Sequence, residues 1–165
     1  MKRRPFGKKG VELSLVGLGG IAVADLWSKA AAFAALGPGD YHWLAGQWLA
    51  FTAVENPGIM WGAFPQWSVA LPWLRIGAGL IVLFMIRSTA RAQRGLHLAL
   101  GCVLGGAIGN VYDGFAFGHV RDFVYVDLDL PGFDPFPVFN VADAGISVGV
   151  AVLALSMIFE RKPPR

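Results

Sequence analysis

Residues 141–159 have the sequence VADAGISVGVAVLALSMIF, an apolar run whose one charged residue is Asp143. About 20 consecutive apolar residues are enough to cross the hydrocarbon core of a bilayer. Three further runs of this kind precede it in the chain, at about residues 13–33, 69–86 and 95–111. The sequence therefore predicts four membrane-spanning helices.

The composition is typical of an integral membrane protein. Hydrophobic residues make up 55% of the 165 residues and charged residues only 15%, and the mean hydropathy is +0.54. A soluble domain is about half apolar and about a quarter charged, and its apolar residues form stripes rather than long runs. The length favours one integral membrane domain over residues 1–165.

Basic residues mark one side of the predicted bundle. They cluster before the first span (Lys2, Arg3, Arg4, Lys8, Lys9), between the second and third (Arg87, Arg91, Arg94) and after the fourth (Arg161, Lys162, Arg165). The positive-inside rule places all three clusters in the cytoplasm, so the outer loops are residues 34–68 and 112–140. Because these residues flank apolar runs and do not share a face with aromatic residues, nucleic-acid binding is excluded.

The first span carries two charges four residues apart, Asp25 and Lys29. Its basic tail, apolar core and Ala30–Ala32 are the features of a cleaved secretory signal, but the two charges interrupt the core, and we predict an uncleaved anchor. Their spacing allows an ion pair within a helix. Alternatively, Lys29 extends to the headgroups of lipid or substrate.

The third span contains Gly101, Gly105 and Gly109 at intervals of four residues, a spacing that predicts close packing against a neighbouring helix. The same span contains the chain's one cysteine, Cys102. A single cysteine forms no intramolecular disulfide, and no Cys/His spacing indicates zinc. The sequence therefore predicts no metal site.

The outer loops contain two segments, Trp48–Val54 and Val120–Val126, that are rich in β-branched and aromatic residues. Such segments predict strands. The predicted fold is an all-α membrane protein, a four-transmembrane-helix bundle with a small β element and loops on the outer, periplasmic face.

Polar residues gather at the outer ends of the predicted spans. Ionisable groups at such positions are energetically costly and are candidates for function. The clusters are Asp25–Lys29, Asn56–Gly58, Gly109–Phe123 and Phe139–Asp143. Because they come from separate parts of the chain and meet at one membrane face, we predict a site there.

Asp122 and Asp143 are the candidates for catalysis. Two carboxylates held together at an apolar boundary cannot both ionise cheaply, so one keeps its proton and the pair supplies a base and an acid. Such a pair can activate water for attack on a peptide carbonyl and then protonate the leaving amine. The alternative is that Asp143 only caps the fourth helix, and spacing alone does not show that the two approach each other.

The neighbouring polar residues each have a structural alternative. Asn140, three residues before Asp143, either caps the fourth helix or orients that carboxylate. Asn56 precedes Pro-Gly and is typical of a turn. Asp113 either caps the third span or contacts Arg121.

The order of these motifs resembles that of the bacterial signal peptidase II family, over about residues 20–160. Asp25-x-x-Ser28-Lys29 is similar to the family's first-span motif, and Asn56–Trp61 is similar to its Asn-x-Gly-Ala-Ala-Phe/Trp segment. Gly105–Asp113 is similar to Gly-Gly-Ala-x-Gly-Asn-x-x-Asp and is followed by Gly118–Phe123, while Phe139–Asp143 matches Phe-Asn-x-Ala-Asp without a change. Each motif alone is weak, but four in order on a four-span chain are specific.

The resemblance implies an aspartic endopeptidase that cleaves the signal peptide from diacylglyceryl-modified prolipoproteins just before the lipidated cysteine. It implies a catalytic dyad of Asp122 and Asp143, no metal or organic cofactor, and inhibition by globomycin-type compounds. We expect a monomer in the lipid of the bacterial inner membrane, with both termini cytoplasmic and the site toward the periplasm. The expected supporting residues are Asn56, Gly58, Asn110, Asp113, Asn140, Asp25, Lys29 and Arg121.

Two positions depart from the family pattern. The family's Asp-Arg pair is Asp113-Gly114 here, and the arginine that usually precedes the first asparagine is Glu55. Arg121 and Arg75 are placed to substitute in part. We expect the Gly114→Arg variant to have equal or higher activity.

Two other functional classes remain open from the sequence. One is a non-cleaving paralogue that binds lipoproteins or inhibitors in the membrane. The other is a small proton-coupled carrier in which Asp25, Asp113 and Asp143 relay protons. A carrier usually has internal repeats or broken helices, and we find no convincing repeat.

Overall fold

The computed structural model describes residues 8–58, 63–90, 92–127 and 136–159. These ranges hold four long helices and three strands: α1 Lys8–Ala35, β1 His42–Ala45, β2 Leu49–Asn56, α2 Ala70–Ser88, α3 Arg94–Phe117, β3 Val120–Val126 and α4 Val141–Phe159. Each of the four helices is long and apolar enough to cross a membrane. The expected fold class, a four-helix membrane bundle with a small β element, is confirmed.

The third helix is longer than the sequence predicts. It ends at Phe117 instead of residue 111, because apolar aromatic residues continue its packing surface; the Phe115 ring lies edge-on, 5.2 Å from that of Trp73 in α2. The helix stops at Gly118, whose φ of 77° is a left-handed conformation that suits glycine. The predicted outer loop 112–140 is therefore wrong at its start, and Asp113 lies inside the helix rather than capping its end.

The glycines of α3 allow α1 to pack against its backbone. A Cβ atom at Gly105 would lie 2.5 Å from the carbonyl oxygen of Leu18, and one at Gly101 would collide with the carbonyl oxygen of Ser14. At Gly109, an added Cβ atom would collide with the carboxylate of Asp25. The predicted close helix packing is confirmed, and it extends to the polar end of the bundle.

The sheet has the order β1-β2-β3, with antiparallel neighbours. The third strand has the predicted bounds, and the second runs two residues further than predicted, to Asn56. The first strand, His42–Ala45, was not predicted, because a run of four residues is too short to indicate a strand by its composition. An isolated bridge between Val124 and Phe139 joins β3 to the segment before α4, which places Asp122 beside the start of that helix.

Helix α3 is the centre of the bundle and packs against α1, α2 and α4. The outer surfaces of the bundle are apolar, with large exposed side chains such as Leu80 and Phe84 in α2 and Met157 and Ile158 in α4. Exposed apolar surface of this extent is the arrangement of helices that face lipid.

Candidate active site

Asp122 and Asp143 line the same cavity, which has a volume of about 400 Å³. Asp122 comes from β3 and is 2% exposed. Asp143 lies in the first turn of α4. The remaining lining includes Asn56, Gly58, Arg75, Asn110, Phe139 and Ile146. The structure thus brings together the two carboxylates that the sequence singles out.

Asn140 connects the two carboxylates. Its Nδ2 donates to Asp122 Oδ1 at 2.6 Å, and its backbone N–H donates to Asp143 Oδ2 at 3.3 Å. The backbone N–H of Asp143 donates in return to Asn140 Oδ1 at 2.9 Å. This reciprocal pair is a capping box at the start of α4. The hypothesis that Asp143 is the N-cap residue is wrong, since Asn140 holds that position and also contacts Asp122; Asp143 contributes to the cap from the first turn.

Each carboxylate also accepts a hydrogen bond from a second asparagine. Asn56 Nδ2 donates to Asp122 Oδ2 at 2.9 Å, and Asn110 Nδ2 donates to Asp143 Oδ1 at 2.8 Å. The other end of the Asn56 amide accepts from the backbone N–H of Gly58 at 3.0 Å, which is the predicted turn. Three amides from β2, α3 and the start of α4 therefore orient both carboxylates.

The environment of Asp122 favours its protonated form. Burial raises the pKa of Asp122 to about 7, even though hydrogen bonds from Asn56 and Asn140 act in the opposite direction. The negative charge of Asp143 adds to the effect of burial. A carboxyl group of this pKa still holds a proton near neutral pH, when an exposed aspartate would have lost it.

A buried charge network lies behind the asparagines. Lys29 Nζ is 2.6 Å from Asp25 Oδ2 and 3.4 Å from Asp113 Oδ2, with all three side chains fully buried. The same ammonium donates to Asn110 Oδ1 at 2.9 Å, and Asp25 Oδ1 accepts from the backbone N–H of Ala142 at 2.8 Å. The predicted ion pair is confirmed. The alternative of a headgroup contact for Lys29 is wrong because its ammonium is enclosed by these partners.

Arg121 contacts Asp113. Of the two roles expected for that aspartate, capping the third span or contacting Arg121, the structure shows the second. Its Nη2 and Nε donate to Asp113 Oδ1 at 2.7 and 3.2 Å, and its backbone N–H donates to Oδ2 at 2.9 Å. The guanidinium also lies 4.3 Å from the centre of the Phe117 ring. In the described part of the chain Arg121 does not line the cavity; its contacts are with Asp113, behind the cavity wall.

The two departures from the family pattern have different surroundings. A Cβ atom at Gly114 would lie 2.6 Å from Cγ of Pro72 in α2. A side chain at this position requires Pro72 to shift, so the structure argues against the expectation that Gly114→Arg has equal or higher activity. Glu55 is 69% exposed and lies 3.8 Å from the His119 ring. Arg75, which the sequence analysis considered only as a partial substitute for the missing arginines, lines the cavity.

The sequence model of the family described as signal peptidase (SPase) II matches residues 18–159. The chain belongs to the signal peptidase II family. A lipoprotein signal peptidase of Chlorobaculum tepidum is 38% identical over 125 residues, which are 70% of this chain and 75% of that relative. One of Pseudomonas fluorescens is 41% identical over 97 residues, and that match spans 59% of this chain and 55% of the relative's length.

Solved structures agree with the fold of this signal peptidase II family member. A structure described as a bacterial membrane enzyme superimposes with a TM-score of 0.81 at 20% identity and covers 100% of this chain and 99% of its own. A second structure with that description has a TM-score of 0.78 at 22% identity. At such identities the likeness is one of fold, and it supports a multi-pass membrane protein.

Proposed function

We propose that this protein is an aspartic endopeptidase that removes the signal peptide from diacylglyceryl-modified prolipoproteins before the lipidated cysteine. The observation that carries the proposal is the placement of Asp122 and Asp143 on one cavity, bridged by Asn140. The names of the relatives, lipoprotein signal peptidases, supply the class of substrate. Nothing in the fold or the relatives favours a non-cleaving paralogue or a proton-coupled carrier.

The two carboxylates have different tasks in the proposed reaction. Asp143, oriented by Asn110 and Asn140, takes a proton from a water molecule, which attacks the scissile carbonyl carbon. Asp122, with its raised pKa, donates its proton to the developing oxyanion. The tetrahedral intermediate then collapses: Asp143 gives its proton to the leaving amine as the carbon–nitrogen bond breaks, and Asp122 takes back a hydroxyl proton as the new carboxyl group forms.

The remaining parts of the proposal concern the setting of the enzyme. The chain acts as a single membrane domain and a monomer in the bacterial inner membrane, with the dyad toward the periplasm and both termini in the cytoplasm. In support, Arg87 lies at the end of α2 that is distant from the cavity. Membrane lipid surrounds the helices, and globomycin-type inhibitors occupy the cavity that binds the substrate.

A gel-shift assay with purified protein and a lipidated prolipoprotein tests the proposal. Wild type should release the signal peptide, while Asp122→Asn and Asp143→Asn, made separately, should each lose at least ~10³-fold in turnover, since catalytic groups that act together are each essential. The matched control is Asp40→Asn in an exposed outer turn, which should cleave like wild type.

Three results would count against this function or its dyad. Substrate left intact by wild type, under conditions where a control peptidase cuts it, would contradict the proteolytic function. Intact substrate that is nevertheless bound would favour the non-cleaving paralogue. Near-normal turnover of either aspartate variant would contradict the assignment of the dyad.

A further inference from the structure

Arg75 is the basic residue among the described residues that line the cavity. It lies on α2, one turn after Pro72, and its side chain is half-buried. Its Nη2 is 3.5 Å from the carbonyl oxygen of Gly58, which is a long and weak hydrogen bond. A guanidinium has five N–H donors, and no carboxylate of the described residues lies within ion-pair distance of this one. Among the described residues, most of its donors therefore have no partner and can bind a ligand.

The charge of Arg75 is close enough to the dyad to act on whatever binds there. The guanidinium interacts electrostatically with both Asp143 and Asp122, more strongly with Asp143. All three side chains line the same cavity. A carboxylate or phosphate ligand would be repelled by an ionised Asp143. The carbonyl oxygen of a peptide accepts a hydrogen bond without that penalty, so a peptide backbone is the ligand that fits this combination of groups.

The surroundings of Gly114 involve the same part of α2 that carries Arg75. The position after Asp113 is closed on this protein by Pro72, whose Cγ would lie 2.6 Å from a Cβ atom at Gly114. Pro72 and Arg75 are three residues apart and share one face of α2. One face of α2 therefore carries both Pro72, which fills the space beside Gly114 of α3, and Arg75, whose guanidinium lines the cavity.

We infer that Arg75 binds the substrate: its guanidinium donates to peptide carbonyl oxygens beside the scissile bond and positions that bond over Asp122 and Asp143. This inference rests on the proposed peptidase function. Because the contact exists before the reaction begins, it stabilises the bound substrate as well as the transition state. Its loss should therefore raise KM more than it lowers kcat.

Steady-state cleavage of a lipidated prolipoprotein peptide by purified full-length variants tests the inference. Arg75→Gln should lower kcat/KM by about tenfold or more, mainly through KM, as expected for one charge-assisted hydrogen bond. Arg75→Lys keeps the charge without the planar fork and should lie between Arg75→Gln and wild type. Arg87→Gln, at the exposed far end of the same helix, is the matched control and should match wild type.

The outcomes separate this inference from the proposed function. If wild type cleaves and Arg75→Gln has an unchanged KM, the substrate contact is wrong while the peptidase function stands. A loss confined to kcat together with a shifted pH profile would also overturn the contact, because it would mean that Arg75 acts only on the dyad. If wild type does not cleave, the proposed function fails. In that case binding of the same peptide, measured by fluorescence anisotropy, still decides about Arg75: weaker binding by Arg75→Gln supports the contact, and equal binding contradicts it.

Discussion

Single side chains at this site stabilise local structure and contact the cavity aspartates at the same time. Asn140 caps α4 and bonds to Asp122, and Asn56 forms a turn with Gly58 and bonds to the same aspartate. For this reason the sequence leaves the structural and the functional interpretation of each asparagine open. A cap or turn is visible in local spacing, but the second hydrogen bond crosses to a residue far away in the chain.

The two roles of Asn140 can be separated by substitution. Serine also caps helices, so Asn140→Ser should keep the cap while losing the amide donor to Asp122. Asn140→Ala should lose both and be less stable than the serine variant by about 1 kcal/mol. We expect both variants to lose at least about tenfold in cleavage, measured by gel shift, with thermal unfolding in detergent reporting stability. Wild-type turnover of Asn140→Ser would show that the bond to Asp122 is dispensable.

The raised pKa of Asp122 also makes stability depend on pH. Between the ordinary value of 3.8 and about 7, the folded protein holds a proton on Asp122 that the unfolded chain has released. The contribution of this group is therefore full below about pH 3.8 and is lost as pH rises toward 7, at up to about 1.4 kcal/mol per pH unit.

Thermal unfolding of wild type and Asp122→Asn in detergent, at about pH 5 and about pH 8, measures this dependence. The Asn variant should lose less stability than wild type on going to the higher pH, because an amide does not titrate. Parallel changes in the two proteins would mean that Asp122 ionises at an ordinary pH.

At the scale of elements, the glycines of α3 are the feature that local spacing predicts well. Intervals of four residues place Gly101 and Gly105 on one helix face, and the structure packs α1 against that face. The end of α3 was mispredicted because its last turns are stabilised by contacts with α2, such as that between Phe115 and Trp73. Strand β1 was missed because pairing with β2, rather than its own four residues, holds it in place.

Substituting a glycine in the α1–α3 contact tests that packing. Gly101→Ala should lower the free energy of unfolding by roughly 1–3 kcal/mol, because its Cβ atom would collide with the Ser14 carbonyl oxygen. Gly20→Ala in α1 is the control: nothing lies within 4 Å of its added Cβ atom, and alanine is the better helix former. Thermal unfolding in detergent should rank Gly20→Ala at or above wild type, and equal stability of the two variants would contradict the close contact.

At the scale of the whole molecule, the proposed orientation in the membrane can be tested by thiol labelling. In a Cys102→Ala background, Asp40→Cys in the exposed turn after α1 should react with a membrane-impermeant reagent added to intact spheroplasts. Ser88→Cys, at the exposed end of α2, should react only after the membrane is opened. The reverse pattern would place the dyad on the cytoplasmic side.

The sequence by itself determined the four spans and the two longer strands, and it limited the cap of α4 to Asn140 or Asp143. Partition of an apolar run into lipid and capping of a helix depend on neighbouring residues, so local spacing is enough to predict them. The tertiary structure alone decided that Asp122 and Asp143 share a cavity, and that Pro72 closes the space beside Gly114. Both results depend on contacts between residues that are far apart in the chain. The cavity needs β3 and α4 together, and the space beside Gly114 of α3 is filled by a residue of α2.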